Sequence, residues 1–148
     1  MRADELPGRV SAAHFILYVR DQPASAQFYE RALGLRARLD VPGMTEFELG
    51  SETGLAAMVL GLMPLEGARR LLGAGAVAAT TTEAAPPARC ELYLVVADAR
   101  AAHDRALRAG ARELSPVLQR DWGHLAGYCA DPDGHVLAFA EAAASLTP

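Results

Sequence analysis

The sequence predicts an α+β fold made of two tandem βαβββ modules, with mixed sheets and the helices on one face. Two observations carry this. Leu17-Tyr18-Val19-Arg20-Asp21 matches Leu94-Val95-Val96-Ala97-Asp98 without a gap, and a glycine follows each aspartate at nearly the same distance: Gly34 after thirteen residues, Gly110 after twelve. Two similar halves of about 50 residues imply a duplicated unit. In each half a strand and a helix precede a run of strands, the order of an α+β module. The 148 residues, 51% of them apolar, are enough for one domain with a real core.

The elements follow in chain order. Residues 1–10 are polar, contain Pro7 and Gly8, and read as a loose arm. His14–Val19 is rich in aromatic and β-branched residues and reads as a strand. Asp21 or Gln22 caps the helix that follows, with Pro23 in its first turn. Ala24, Phe28 and Ala32 make its apolar stripe, and Gly34 closes it in the left-handed conformation. Strand candidates are Leu35–Leu39, Thr45–Leu49 and Leu55–Met63, parted by turn signals at Pro42-Gly43 and Gly50–Gly54. In the second half, Glu91–Val96 is a strand and Asp98 caps a helix running to about Arg108, closed by Gly110. Further strands are expected at Arg112–Ser115, Leu125–Ala130 and Val136–Ala140, with Asp131-Pro132-Asp133-Gly134 as the turn between the last two. Module one thus covers about residues 11–64 and module two about 90–142. Of the connection at 65–89, Leu65–Leu72 is a candidate short helix. Residues 73–89 are low-complexity and read as disorder, a lid or a dimer-exchange arm.

Composition excludes several classes. A net charge of −4 with no basic run gives no footprint for nucleic acid. The longest apolar stretch, roughly Gly54–Leu65, is shorter than the ~20 residues of a membrane helix. The N-terminus shows no signal-peptide core, so a cytoplasmic location is expected. Cys90 and Cys129 have no zinc-type spacing and read as two buried thiols. No nucleophile elbow, Walker loop or dinucleotide fingerprint is present.

Four segments carry a resemblance: His14–Asp21, the run Phe28-Tyr29-Glu30-Arg31-Ala32-Leu33-Gly34-Leu35, Asp121-Trp122-Gly123, and Asp131-Pro132-Asp133-Gly134-His135. In that order they resemble the vicinal oxygen chelate superfamily, which includes glyoxalase I, bleomycin-resistance proteins and extradiol dioxygenases. The resemblance spans about residues 12–142. It implies that the sheets of the two modules curl around a cleft that takes a small molecule. It also implies up to four metal ligands, one on the first and one on the last strand of each module. His14 matches the first position and Glu91 its duplicate, each three residues before an aligned leucine. The duplicate position on the last strand of module two is Ala138, and Leu55–Met63 holds no Asp, Glu, His or Cys. Two ligands fall short of the usual three protein donors, so the expectation is no cofactor and no family-type divalent metal.

Strand alternation puts His14, Ile16 and Tyr18 on one face and Glu91, Tyr93 and Val95 on another. If these faces line the cleft, His14 and Glu91 meet there as a leftover ion pair, a ligand contact or a proton-transfer pair. The expected ligand-lining set is His14, Ile16, Tyr18, Glu91, Tyr93, Trp122 and Ala138. Trp122, the only tryptophan, either stacks on a flat ligand or plugs the core or a dimer seam. His103 is expected to face solvent, His124 to border the cleft, and His135 to be structural. Arg120 and Asp121 have no fixed direction. Glu46 and Glu48 share a face that is either solvated or part of the cleft, and the second case would revive a metal. Three functions follow from the resemblance. One is a homodimeric, metal-free binding protein of the bleomycin-resistance type. Another is a glyoxalase-like lyase, isomerase or dioxygenase using His14 and Glu91. The last is a regulatory subunit with a vestigial cup.

Overall fold

The computed structural model describes residues 7, 8, 10–50, 58–77 and 88–142. Module one runs β1 (His14–Val19), α1 (Gln22–Leu33), β2 (Leu39–Val41), β3 (Met44–Leu49) and β4 (Met58–Pro64), and is followed by α2 (Leu65–Leu72). Module two runs β5 (Glu91–Val95), α3 (Ala99–Arg108), β6 (Arg112–Gln119), β7 (His124–Ala130) and β8 (Val136–Ala142). The strand orders are β1-β4-β3-β2 and β5-β8-β7-β6, so the duplication read from sequence recurs in the topology. In each sheet the first strand lies parallel to the last and the other pairs are antiparallel. The expected curled mixed sheet is thus built from two separate four-stranded sheets, with no ladder from β1 to β5.

The helices begin where the sequence caps them. The Asp21 side chain accepts from the Ala24 amide at 3.0 Å, and Asp98 accepts from Ala101 at 3.0 Å. Each satisfies an amide that would otherwise be orphaned in the first turn. Gly34 closes α1 at φ 67°, a left-handed conformation that suits glycine. Two strands differ from expectation. Residues 35–38 lie outside any strand, and the edge strand is only Leu39–Val41, because Arg38 to Asp40 pair back onto Thr45 and Glu46 after a tight turn. In the other module β6 continues past Ser115 to Gln119, with register shifts that let Pro116 pass at the sheet edge. The part of the Leu55–Met63 candidate before Met58, most of the 1–10 arm and residues 78–87 of the connection lie outside the described residues.

Alternation divides each sheet into an inner and an outer face. Inner residues Val19, Phe47, Leu60 and Leu62 of module one, and Leu92, Cys129, Leu137 and Phe139 of module two, share one core with Phe28, Tyr29 and Ala106 of the helices. The two helices also pack on each other. Burial pushes the Cys129 thiol up to about 11, with Asp131 and Glu113 adding to it. Cys90, expected to be buried, is exposed, because it precedes β5 rather than lying within it.

The Asp131–Gly134 turn acts between modules. Asp131 folds the turn by accepting from the amides of Asp133 and His135. Its other oxygen accepts from the buried Tyr29 hydroxyl of α1 at 2.6 Å. Asp133 accepts from the Arg20 amide at 2.9 Å and from Arg20 Nε at 3.1 Å, and Arg20 Nη2 donates to the Pro132 carbonyl. His135 Nε2 lies 3.0 Å from the Tyr18 carbonyl oxygen, the structural role expected of it. Burial raises the pKa of Asp131 despite the bonds from Tyr29, His135 and Asp133. Burial, then the neighbouring Asp131, pushes Tyr29 well above its ordinary value.

Candidate functional site on the outer sheet faces

Module one places His14, Ile16 and Tyr18 of β1 on its outer face, as alternation requires. The ladder puts Glu48 and Val59 in the row of His14, and Glu46 and Gly61 in the row of Ile16. Glu46 and Glu48 therefore share the face of His14. His14 Nδ1 is 3.5 Å from Glu46 Oε2. Arg38 closes the cluster: Nε and Nη2 reach Glu46 Oε1 at 3.1 and 3.0 Å, and Nη1 reaches Glu48 Oε1 at 3.2 Å. Those bonds, to Glu48 first and then Glu46, raise the Arg38 pKa further. Ile16 bends over Gly61 beside Met44.

Module two carries a different outer face. Glu91 faces Val136, and Tyr93, Ala138 and Tyr128 form one cross-strand row. Ala138 is fully buried, so it is a floor beneath its neighbours rather than a surface a ligand touches. Trp122, 57% exposed, plugs nothing in the core. Its indole Nε1 donates to the Tyr93 hydroxyl at 2.9 Å, and that hydroxyl lies 2.7 Å from His124 Nδ1, with the two rings stacked at 5.9 Å. Indole N–H can only donate, so the Tyr93 oxygen accepts from it, while the donor in its bond with His124 Nδ1 is set by the imidazole tautomer. His124 Nε2 has no partner among the described residues.

Beside this relay, Arg120 Cζ stands 5.1 Å over the Tyr128 ring. The sequence did not fix the direction of Arg120, but three backbone and side-chain acceptors do. Nη2 donates to Ser115 Oγ, the Pro116 carbonyl and the Ala126 carbonyl, and Nε also donates to Ala126. Burial, with Glu91 and Tyr93 nearby, raises the Tyr128 pKa, and Arg120 opposes the shift.

Several expectations change here. His14 and Glu91 are not brought together: His14 turns to Glu46 within its own sheet, while Glu91 lies next to Val136 and acts on Tyr128. His103 was expected to face solvent but is 3% exposed. Its ring packs where a side chain at Gly127 would stand, with Nδ1 2.7 Å from that point, and Nε2 meets Glu113 at 2.9 Å. The helix stripe could not show this, because the space comes from a glycine on β7, far along the chain. Sequence reasoning also missed the pairing of Tyr128 with Arg120 and of Arg38 with both glutamates. The signals were present only as strand alternation.

A catalytic metal of the type the resemblance implies does not fit these donors. Among the described residues no three His, Cys, Asp or Glu side chains come together to hold one. His14 and Glu46 are the nearest approach, and Arg38 already supplies the cation that Glu46 faces. The β4 residues opposite them are Val59 and Gly61.

Two mixed four-stranded sheets of this order, each with its helix, define the class of fold. A family model described as the glyoxalase/bleomycin resistance protein/dioxygenase superfamily matches residues 11–139, and the chain belongs to that superfamily. Solved structures agree. A glyoxalase-related enzyme from Fulvimarina pelagi is 26% identical with a TM-score of 0.72, covering 88% of this chain and 87% of its own. A glyoxalase/bleomycin resistance protein/dioxygenase from Nocardioides is 19% identical with a TM-score of 0.71, covering 99% and 92%. A protein of unknown function from Agrobacterium tumefaciens is 24% identical with a TM-score of 0.71, covering 93% and 98%. No curated protein matches the chain.

Proposed function

We propose that the protein binds a small, partly aromatic molecule without a catalytic metal of the family type, in the manner of bleomycin-resistance proteins. The observation that carries this is the Trp122–Tyr93–His124 relay on the outer face of module two. The described core does not need these groups. They leave an aromatic face and one unpartnered imidazole nitrogen, which is the equipment of a ligand site. A flat ligand stacks on Trp122 and hydrogen-bonds to His124 Nε2. The acidic face of module one, with His14, Glu46 and Glu48, completes the site when two copies associate. Exposed Phe15 on β1 and Val95 on β5 lie on sheet-edge strands that such a homodimer would cover. No described helix is long and apolar enough to cross a membrane. We assign the protein to the cytoplasm.

The test is a titration of purified protein with a panel of aromatic small molecules, read by Trp122 emission and by melting temperature. Binding should quench or shift the single tryptophan and raise the melting temperature by mass action. Silence across the panel in both readouts sinks the reading. Elemental analysis of the same sample addresses the rival lyase or dioxygenase: stoichiometric nickel, zinc, iron or manganese would displace the metal-free account.

A further inference from the structure

The two junctions between the modules are not alike. At one, the Asp131–Gly134 turn fills the space beside α1, and Tyr29 gives its hydroxyl proton to Asp131. The second junction lies beside the C-terminal end of α1, and Arg105 of α3 lines it. The Arg105 guanidinium has no hydrogen-bond or ion-pair partner among the described residues.

The second junction holds a cavity of about 430 Å³. Leu33 and Leu49 of module one and Leu94 and Phe139 of module two supply apolar wall. Arg105 is the only cation among the described residues that line it, and Glu48 the only carboxylate. Glu48 is already turned to Arg38, 3.2 Å away. The Arg105 guanidinium lies across the end of α1, with Nη1 3.1 Å from where a Cβ at Gly34 would be. A residue with a side chain there would crowd it.

An apolar cavity with one uncompensated guanidinium at its wall has a definite chemistry. The planar fork takes a carboxylate through two parallel N–H···O bonds, and the hydrocarbon beyond it leaves water against the leucines and Phe139. We propose that this junction is a binding site for a small monocarboxylate with an aromatic or aliphatic body, held by Arg105. The site shares no residue with the Trp122–Tyr93–His124 relay. A second acid group on the ligand would meet Glu48.

The full chain, labelled with ¹⁵N, is titrated with benzoate and, separately, with benzyl alcohol. Benzoate should move the amide signals of Gly34, Val96, Ala102 and Arg105 saturably, and benzyl alcohol should bind about tenfold more weakly for want of the ion pair. Arg105 is an exposed helical residue, so R105Q should keep the fold, with the Trp122 indole signal unmoved as the control. In R105Q benzoate should fall to the affinity of the alcohol. R105K, which keeps the charge but loses the fork, should lie between. Unmoved junction amides overturn the proposal, as does an R105Q that binds benzoate like the parent. Shifts confined to the Trp122 indole and Tyr93 also overturn it, and they leave the outer-face reading intact.

Discussion

Single atoms decide the chemistry of the outer face. Tyr93 stands between an indole N–H that only donates and a ring nitrogen of His124. Y93F removes both bonds at once. The expected result is a shifted Trp122 indole N–H resonance and changed ¹⁵N shifts in the His124 ring. The cost in stability should be small, because Trp122 is exposed. The clasp residues behave differently. Y29F leaves a buried carboxylate oxygen without its donor, and urea denaturation should report a loss of about 1–3 kcal/mol. Asp131 also carries a pH signature. Its folded pKa is raised by burial, so its contribution to stability is fully present below the unfolded pKa and is lost as pH rises through the folded one. The stability of the parent relative to D131N should fall across that window, and a pH series of denaturation curves would show the reverse if the carboxylate were held ionised. The thiols give a simpler check. Cys90 is exposed while Cys129 is buried with its pKa pushed up to about 11, so iodoacetamide should add one label natively and two after unfolding.

At the scale of elements, the sequence was most legible where local chemistry is self-sufficient. Asp21 and Asp98 cap their own helices, and D21A or D98A should each cost about 1 kcal/mol in thermal or urea unfolding. The Asp131–Gly134 turn reads from its residues, because Asp131 bonds its own backbone two and four positions on. The strand β1 also reads directly from its aromatic and β-branched residues, and β3 from the alternation of Glu46 and Glu48 with Phe47 and Leu49. What could not be read depends on partners far along the chain. The edge strand β2 is set by pairing to β3, and the length of β6 by pairing to β7, so neither carried its own limits. His103 of α3 is hidden by the bare Cα of Gly127 on β7, the strand beneath the helix. G127A should press the new methyl into His103 and Val117 and destabilise by about 1–3 kcal/mol. For the site, alternation alone could place Tyr93 with Glu91, and Glu46 with Glu48. It could not show that His14 would choose Glu46, nor that Arg38 would occupy both carboxylates, because side-chain reach between strands is a three-dimensional fact.

For the whole molecule, duplication supplies the architecture and divergence supplies the use. Both modules keep one strand order and one capping aspartate, yet α1 ends on Gly34 and α3 on Ala109, and their outer faces have parted. One is a charged cluster and the other an aromatic relay, and among the described residues no three metal-ligating side chains gather on either. The halves are gripped by side chains as well as joined by the chain: Tyr29 on Asp131, Arg20 on Asp133, and His135 on the Tyr18 carbonyl. None of these contacts passes through the segment linking α2 to β5. A polypeptide severed in that segment should therefore reconstitute from two separately encoded pieces, recovered together when only one bears a purification tag. The gene could have begun as two genes, or be returned to that state, without giving up the folded particle.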